Sequence, residues 1–209
     1  MFSDEETEKN RGKWRTLFPD FPKHPSMDRE LHVEIGCNAG HVIVEWAAAQ
    51  PQTAYIGIDW KLKSIFRAAE KAEKRKLSNV IFFRAHAARI KSMFGPAEVD
   101  RLSLFFPDPW PKKSQWKNRF VTPERYREIR EIMKPGGILH IKTDHPDYFK
   151  WMEKALDESH ARWKTLEKTS DLHQGHPNPA SLTIPEVTLF ERLFIKEGIP
   201  IHSLKLSAL

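Results

Sequence analysis

A chain of 209 residues with 40% apolar composition is long enough for one well-buried domain and gives no sign of a second. Its 34 Lys and Arg against 28 Asp and Glu leave a net charge of +6, which favours a polyanionic partner. The single cysteine, Cys37, excludes an internal disulfide, and no apolar leader or long apolar run suggests a signal peptide or membrane span, so a cytoplasmic protein is expected.

Residues 1–29 are polar, with Lys9, Arg11, Lys13 and Arg15 around Trp14, followed by Pro19, Pro22 and Pro25. This predicts a flexible basic N-terminal arm, either an RNA-contacting tail or a leader without fixed structure, ahead of one domain over 30–209. Strand-like apolar runs then cover 31–35, 54–58, 80–83, 102–106 and 138–141, and helical stretches lie near 40–50, 61–77, 123–133 and 146–158. Strands alternating with helices at this spacing predict right-handed βαβ units, a largely parallel sheet and a doubly wound α/β fold.

The first run leads into Val33-Glu34-Ile35-Gly36-Cys37-Asn38-Ala39-Gly40. Glycines at a strand-to-helix turn let backbone approach a ligand. The G-x-G-x-x-G spacing of a dinucleotide turn is absent. The pattern E-x-G-x-x-x-G over Glu34, Gly36 and Gly40 resembles the first motif of S-adenosylmethionine-dependent methyltransferases, with Asn38 in place of the middle glycine. Asn tolerates positive φ, so the turn can survive; a generic strand-helix turn is the other reading. The second run ends at Asp59, where such sheets place an acid that accepts hydrogen bonds from a ribose diol. Asp59 is also placed to cap the helix starting at Lys61. That helix carries Lys61, Lys63, Arg67, Lys71, Lys74, Arg75 and Lys76 with Glu70 and Glu73, and is read as a solvated face in preference to an RNA contact.

The fourth run stops at Pro107-Asp108-Pro109, since proline donates nothing to a sheet ladder. It opens into Trp110-Pro111-Lys112-Lys113-Ser114-Gln115-Trp116-Lys117-Asn118-Arg119. Ligands bind at the C-terminal ends of strands in open α/β sheets. A loop there with indoles and cations is suited to phosphate contacts and base stacking, which makes Lys112, Lys113, Lys117 and Arg119 candidate phosphate contacts. Further on, Gly175, Pro177, Pro179 and Pro185 predict a mobile loop over 170–186, with His173 and His176 exposed to solvent. Residues 187–195 alternate weakly and end at Glu197-Gly198, which predicts a late strand at the sheet edge.

Phe106-Pro107-Asp108-Pro109-Trp110-Pro111-Lys112, then Lys142-Thr143-Asp144 with Tyr148 and Trp151, then Thr188-Leu189-Phe190-Glu191 with Gly198-Ile199-Pro200-Ile201 and Leu204, together resemble the tRNA (guanine-N7-)-methyltransferase family. The resemblance spans residues 30–205. It implies a Rossmann-like S-adenosylmethionine-dependent methyltransferase fold, with a mostly parallel sheet and helices on both faces. The implied activity transfers a methyl group from S-adenosylmethionine to N7 of a guanosine in the tRNA variable loop. By that resemblance Glu34 and Asp59, with Gly36 and Gly40, fall on cofactor-binding positions, and Asp108 on a carboxylate shared by cofactor site and catalysis. Lys112, Asp144, Thr188, Phe190 and Glu191 fall on substrate-contacting positions. Where the family commonly has Asp-Ala after the third strand, with the acid near the adenine, this chain has His86-Ala87-Ala88, so that contact is either lost or replaced by His86, with Ala87 beside it. Ser114 to Arg119 is poorer in Arg and His than the family's basic run, and Asn38 is the third departure.

The chemistry agrees. N7 of guanine is a lone-pair acceptor and has no proton to lose, so the site must supply in-line positioning and favourable electrostatics for a purine becoming cationic. Asp108 suits that electrostatic role, and Asp144 and Glu191 suit the base's N1 and N2 donors. Asp108-Pro109-Trp110-Pro111 is also similar to the D-P-P-Y/W loop of amino-methylating enzymes, and a non-catalytic RNA-binding relative is a further alternative. The ten histidines are scattered without ligand spacing, so no metal is expected. The sequence leaves the oligomeric state open, with a monomer slightly favoured.

Overall fold

A computed structural model describes residues 2–18, 29–174 and 187–209. Its strands are β1 (Leu31–Ile35), β2 (Ala54–Asp59), β3 (Val80–Arg84), β4 (Val99–Phe105), β5 (Met133–Thr143), β6 (Trp163–Thr169) and β7 (His202–Ala208). Its α-helices are α1 (Asp4–Lys9), α2 (Ile43–Ala49), α3 (Leu62–Lys74), α4 (Ile90–Met93), α5 (Pro123–Ile132), α6 (Pro146–Ser159) and α7 (Leu189–Lys196).

The strands make one sheet in the order β3-β2-β1-β4-β5-β7-β6. β1 pairs in parallel with both β2 and β4, β2 with β3, and β4 with β5, while β7 runs antiparallel to β5 and β6 antiparallel to β7. Covered on both faces, β1 is buried at every position, His32 and Glu34 included. Successive residues face opposite layers. Tyr55 and Phe82 pack with Trp46 of α2 and Ile65 and Ala68 of α3, whereas Ile56, Leu102 and Leu139 pack with Met93 of α4, Ile129 of α5 and Met152 of α6. Helices thus cover both faces. Thr122 and His145 cap α5 and α6, and each helix opens with proline, whose missing N–H costs nothing at that position.

Two expectations are corrected. Residues 187–195 do not form an edge strand: α7 occupies most of that stretch. Thr188 Oγ1 accepts the Glu191 N–H at 3.0 Å and Glu191 Oε2 accepts the Thr188 N–H at 3.2 Å, a reciprocal cap that nucleates a helix. The late strands are instead β6 and β7. Gly175, His176, Pro177, Pro179 and Pro185 lie outside the described residues.

Nor are residues 2–18 a flexible arm. Phe2 bridges the open edge of β3, donating to Phe82 O at 3.0 Å and accepting from Arg84 N at 3.1 Å. Trp14 is fully buried, its ring centroid 4.2 Å from that of Phe83, and its indole N–H donates to Met93 O at 2.7 Å. The Glu98 carboxylate accepts from the N–H groups of Gly12 and Trp14, each at 2.9 Å, and Arg15 pairs with Asp100. The cations that suggested an arm flank an aromatic anchor of the core. Pro19, Pro22 and Pro25 lie outside the described residues.

Candidate active site

The C-terminal ends of β1 to β4 share one rim, and strand order reverses between β1 and β4. Such a switch point is where open α/β sheets bind ligands. The rim brings together Glu34 in the last pleat of β1 and Gly36 just after it, Asp59 at the end of β2, His86 and Ala87 after β3, and Asp108 after β4.

Glu34 is buried, and its Oε2 has no hydrogen-bond partner. Burial pushes its carboxyl up to about 8, against an Ile43 N–H bond that lowers it, and the nearby Asp59 carboxylate adds to the rise. A buried acceptor without a donor is costly. A ligand's ammonium group would supply the missing donor and offset the desolvation, so this residue fits the cationic end of a ligand such as S-adenosylmethionine. The turn that follows also suits close approach. Gly36 has φ +76° with open space where a Cβ would stand, and Asn38 takes φ +48°. Asp59 holds that turn from β2, with Oδ2 accepting Asn38 N–H at 3.0 Å and Oδ1 accepting Lys61 N–H at 2.9 Å. It clips the glycine turn to the start of α3 while remaining half-exposed on the rim. Gly40 differs from the expectation of a cofactor contact. A Cβ there would meet Ala68 Cβ at 2.8 Å, so its missing side chain lets α3 pack close. His86 is exposed and its Nδ1 accepts the Ala88 N–H at 3.2 Å; Ala87 is half-buried.

The loop after β4 is held at both ends. Phe106 N–H donates to Lys142 O at 2.8 Å. Phe106 and Trp110 take φ +52° and +45°, left-handed values rare for aromatic residues, on either side of Pro107-Asp108-Pro109. Asp108 is exposed between them, as are Lys112, Lys113 and Lys117.

Arg119 corrects the expectation of a phosphate contact. It is 4% exposed, and its guanidinium carbon lies 4.6, 4.9 and 4.9 Å from the ring centroids of Trp116, Tyr148 and Trp151. Its Nε donates to Pro109 O at 2.9 Å. The walls of this box are pinned in turn, because Trp151 Nε1 donates to Val121 O at 2.7 Å and the Tyr148 hydroxyl accepts Val121 N–H at 3.2 Å. Arg119 is therefore a clamp on the residue next to Asp108. Its planar cation suits stacking on several rings at once.

Glu191 also departs from expectation. It is fully buried, with Oε1 3.1 Å from Lys142 Nζ and 2.6 Å from His173 Nε2, and Oε2 3.2 Å from Lys142 Nζ. These bonds commit it to the interior, where it ties α7 to β5, rather than to a base. His173, expected in solvent, is buried in the same cluster. Thr188 is buried as the α7 cap, whereas Phe190 is exposed, with its ring 6.4 Å from that of Phe106. Asp144 is half-buried between β5 and α6. Sequence reasoning missed the aromatic box and the roles of Lys142 and His173. The box had a signal in Trp116, Tyr148 and Trp151 near an arginine; the ion cluster had none.

Among the described residues no group of His, Cys, Asp and Glu could hold a metal ion, and no helix is long and apolar enough to cross a membrane.

The family model "Putative methyltransferase" matches residues 28–204. The chain is 31% identical over 198 residues to a protein of Bdellovibrio bacteriovorus named tRNA (guanine-N(7)-)-methyltransferase, covering 94% of this chain and 90% of that one. A protein of the same name from Lachnoclostridium phytofermentans is 32% identical over 197 residues, covering 94% and 86%. Among solved structures, the 16S rRNA methyltransferase KamB superposes with a TM-score of 0.62 at 16% identity, over 100% of this chain and 95% of that one, a likeness of fold alone.

Proposed function

Because this chain belongs to the tRNA (guanine-N7-)-methyltransferase family, we propose that it methylates N7 of a guanosine in the variable loop of tRNA, with S-adenosylmethionine as methyl donor. One observation carries the residue assignment: an exposed carboxylate, Asp108, stands on a clamped loop at the switch point, on the same rim as the buried, unpartnered oxygen of Glu34. When bound, the donor supplies a methyl group made electrophilic by the sulfonium.

Glu34 accepts from the donor's cationic end, and Asp59 accepts from its ribose hydroxyls through lone pairs left over from its two backbone bonds. Backbone at Gly36 gives the close approach, with His86 and Ala87 flanking the adenine. Asp108 orients the guanine and offsets the positive charge that develops on it. Because N7 carries no proton, no residue acts as general base, and positioning plus electrostatics make up the catalysis. Lys112, Lys113 and Lys117 meet the phosphates as exposed cations, Phe190 offers a face to a neighbouring base, and Asp144 lies within the rim for the base's donor edge. A cytoplasmic site of action accords with this substrate.

Mapping of methylated nucleosides in tRNA treated with the protein and labelled donor tests the reading. The expected product is 7-methylguanosine in the variable loop; label on another atom or none at all overturns it. Asp108→Asn is expected to lower single-turnover methylation about 100-fold while cofactor affinity stays close to wild type. Near-wild-type turnover by that variant would remove Asp108 from the chemistry.

A further inference from the structure

We infer that the first two turns of α3 form a second contact surface for the RNA, beyond the reacting rim; the inference rests on the reading of tRNA as substrate. Three local rules are broken together at this end of the helix. Its N-cap is Lys61, which makes no side-chain capping bond, where Ser, Thr, Asp or Asn is the usual choice. Its first turn holds no acid, and Lys63 stands there against the helix dipole. Leu62 and Phe66 are 49% and 57% exposed. Local conflicts of this kind concentrate where function overrides stability.

The arrangement fits a polyanion that also offers flat faces. Leu62 and Phe66, four residues apart, form one stripe, and Lys63 and Arg67 form the stripe beside it. Acids enter only at Glu70 and Glu73. Further along, Lys71 is turned inward, its Nζ donating to Ala39 O at 2.7 Å, and Arg75 pairs with Glu45. Neither Lys63 nor Arg67 has an ion-pair partner among the described residues. The first two turns of α3, at the end that meets the rim, therefore carry positive charge with no acid of their own. Exposed Phe and exposed cations in alternation bind single-stranded RNA by stacking and counterion release. A second copy of the chain fits less well, because a two-fold contact would bring Lys63 and Arg67 against their own like charges.

Position supports the same partner. α3 starts three residues after Asp59, at the end of β2, and β2 and β4 flank β1, so the chain entering this helix and the loop that carries Asp108 leave the same rim from strands about 10 Å apart. RNA with its guanine at Asp108 can continue across that rim onto Lys63, Phe66 and Arg67. Trp60 and Lys61, beside Asp59, belong to the cofactor end and stay outside this assignment.

Binding of tRNA measured against salt concentration tests the surface, with Lys63→Ala/Arg67→Ala and Phe66→Ala compared with wild type. The double variant is expected to lower the slope of log affinity against log salt by about 1.5–2. Phe66→Ala is expected to weaken binding about 10-fold at fixed salt without changing the slope. Cofactor affinity and the single-turnover rate at saturating tRNA stay at wild-type values in both. Unchanged slope and affinity, in a wild type that methylates tRNA, overturn the surface alone, as does a wild-type dimer that Phe66→Ala converts to monomer. A wild type that neither binds nor methylates tRNA overturns the functional reading and this surface with it.

Discussion

A carboxyl that burial keeps protonated near neutrality, as Glu34's is with its value near 8, reports on any cation brought beside it. At pH 7 most Glu34 carboxyls carry a proton in the free protein; a cationic ligand favours the ionised form and expels it. Cofactor affinity should therefore rise with pH by up to about tenfold per unit below pH 8 and level off above it. Calorimetry in buffers of different ionisation enthalpy should show a proton released by wild type and not by Glu34→Gln; the difference isolates this carboxyl from the ligand's own amine. Arg119 makes a second residue-scale case. Arg119→Gln removes the charge together with the planar fork, so it should lower turnover with little change in the salt dependence of tRNA binding, while Lys117→Ala should lower that slope by about 0.7–0.9. Equal salt effects from the two substitutions would return Arg119 to the RNA surface. That Glu34, Asp59 and Asp108 share one rim was legible in the sequence because each stands at or just past the end of a strand-like run, a chain-local signal. The fates of Arg119, Glu191 and His173 were not, because what buries a charge is a partner far along the chain: Lys142 lies 49 residues from Glu191.

α7 shows how an element can be misread although its signal is present. Thr188 and Glu191 have capping-box spacing, and the apolar residues at 189, 190, 193 and 194 repeat at three to four positions, not two. β-favouring Val, Thr, Phe and Ile bias the eye toward a strand. β6 and β7 were missed for the opposite reason, since polar residues dilute their alternation, on the outer strand β6 and on its neighbour β7 alike. The Glu191 side chain then does two jobs, closing the cap of α7 and neutralising Lys142. Glu191→Ala should cost about 3–5 kcal/mol in urea unfolding, because it leaves a buried ammonium without its carboxylate. Lys142→Met/Glu191→Leu should recover much of that loss, as apolar pairs of similar volume often match a buried ion pair. A double variant no more stable than Glu191→Ala would mean that the cap, not the charge pair, holds α7.

On the scale of the whole molecule, the parallel βαβ succession was readable for β1 to β5, whose apolar runs and intervening helices follow one another in the chain; the order of the strands came from the structure. The docking of residues 2–18 was not readable, because Trp14 sits among cations and its partners Phe83, Phe94 and Met93 lie about seventy to eighty residues away. Trp14→Ala should cost about 3–5 kcal/mol of stability, the scale of a large aromatic removed from a core. A flexible arm predicts no such loss, and a change only in tRNA affinity would restore that picture.

The bridge from Phe2 to β3 has a consequence for the protein's solubility. The two outer strands are protected by different means. β6 carries Lys164, Glu167 and Lys168, charges that discourage another strand from adding to it. β3 reads Val-Ile-Phe-Phe-Arg and has almost no charge of its own; its outer side is occupied by the segment that begins at Phe2. The first residues of the chain thus serve as a guard against intermolecular strand addition. A fragment that starts at residue 30 would bare a short, β-prone ribbon whose one charge is Arg84, and its fate in concentrated solution would be decided by aggregation as much as by unfolding.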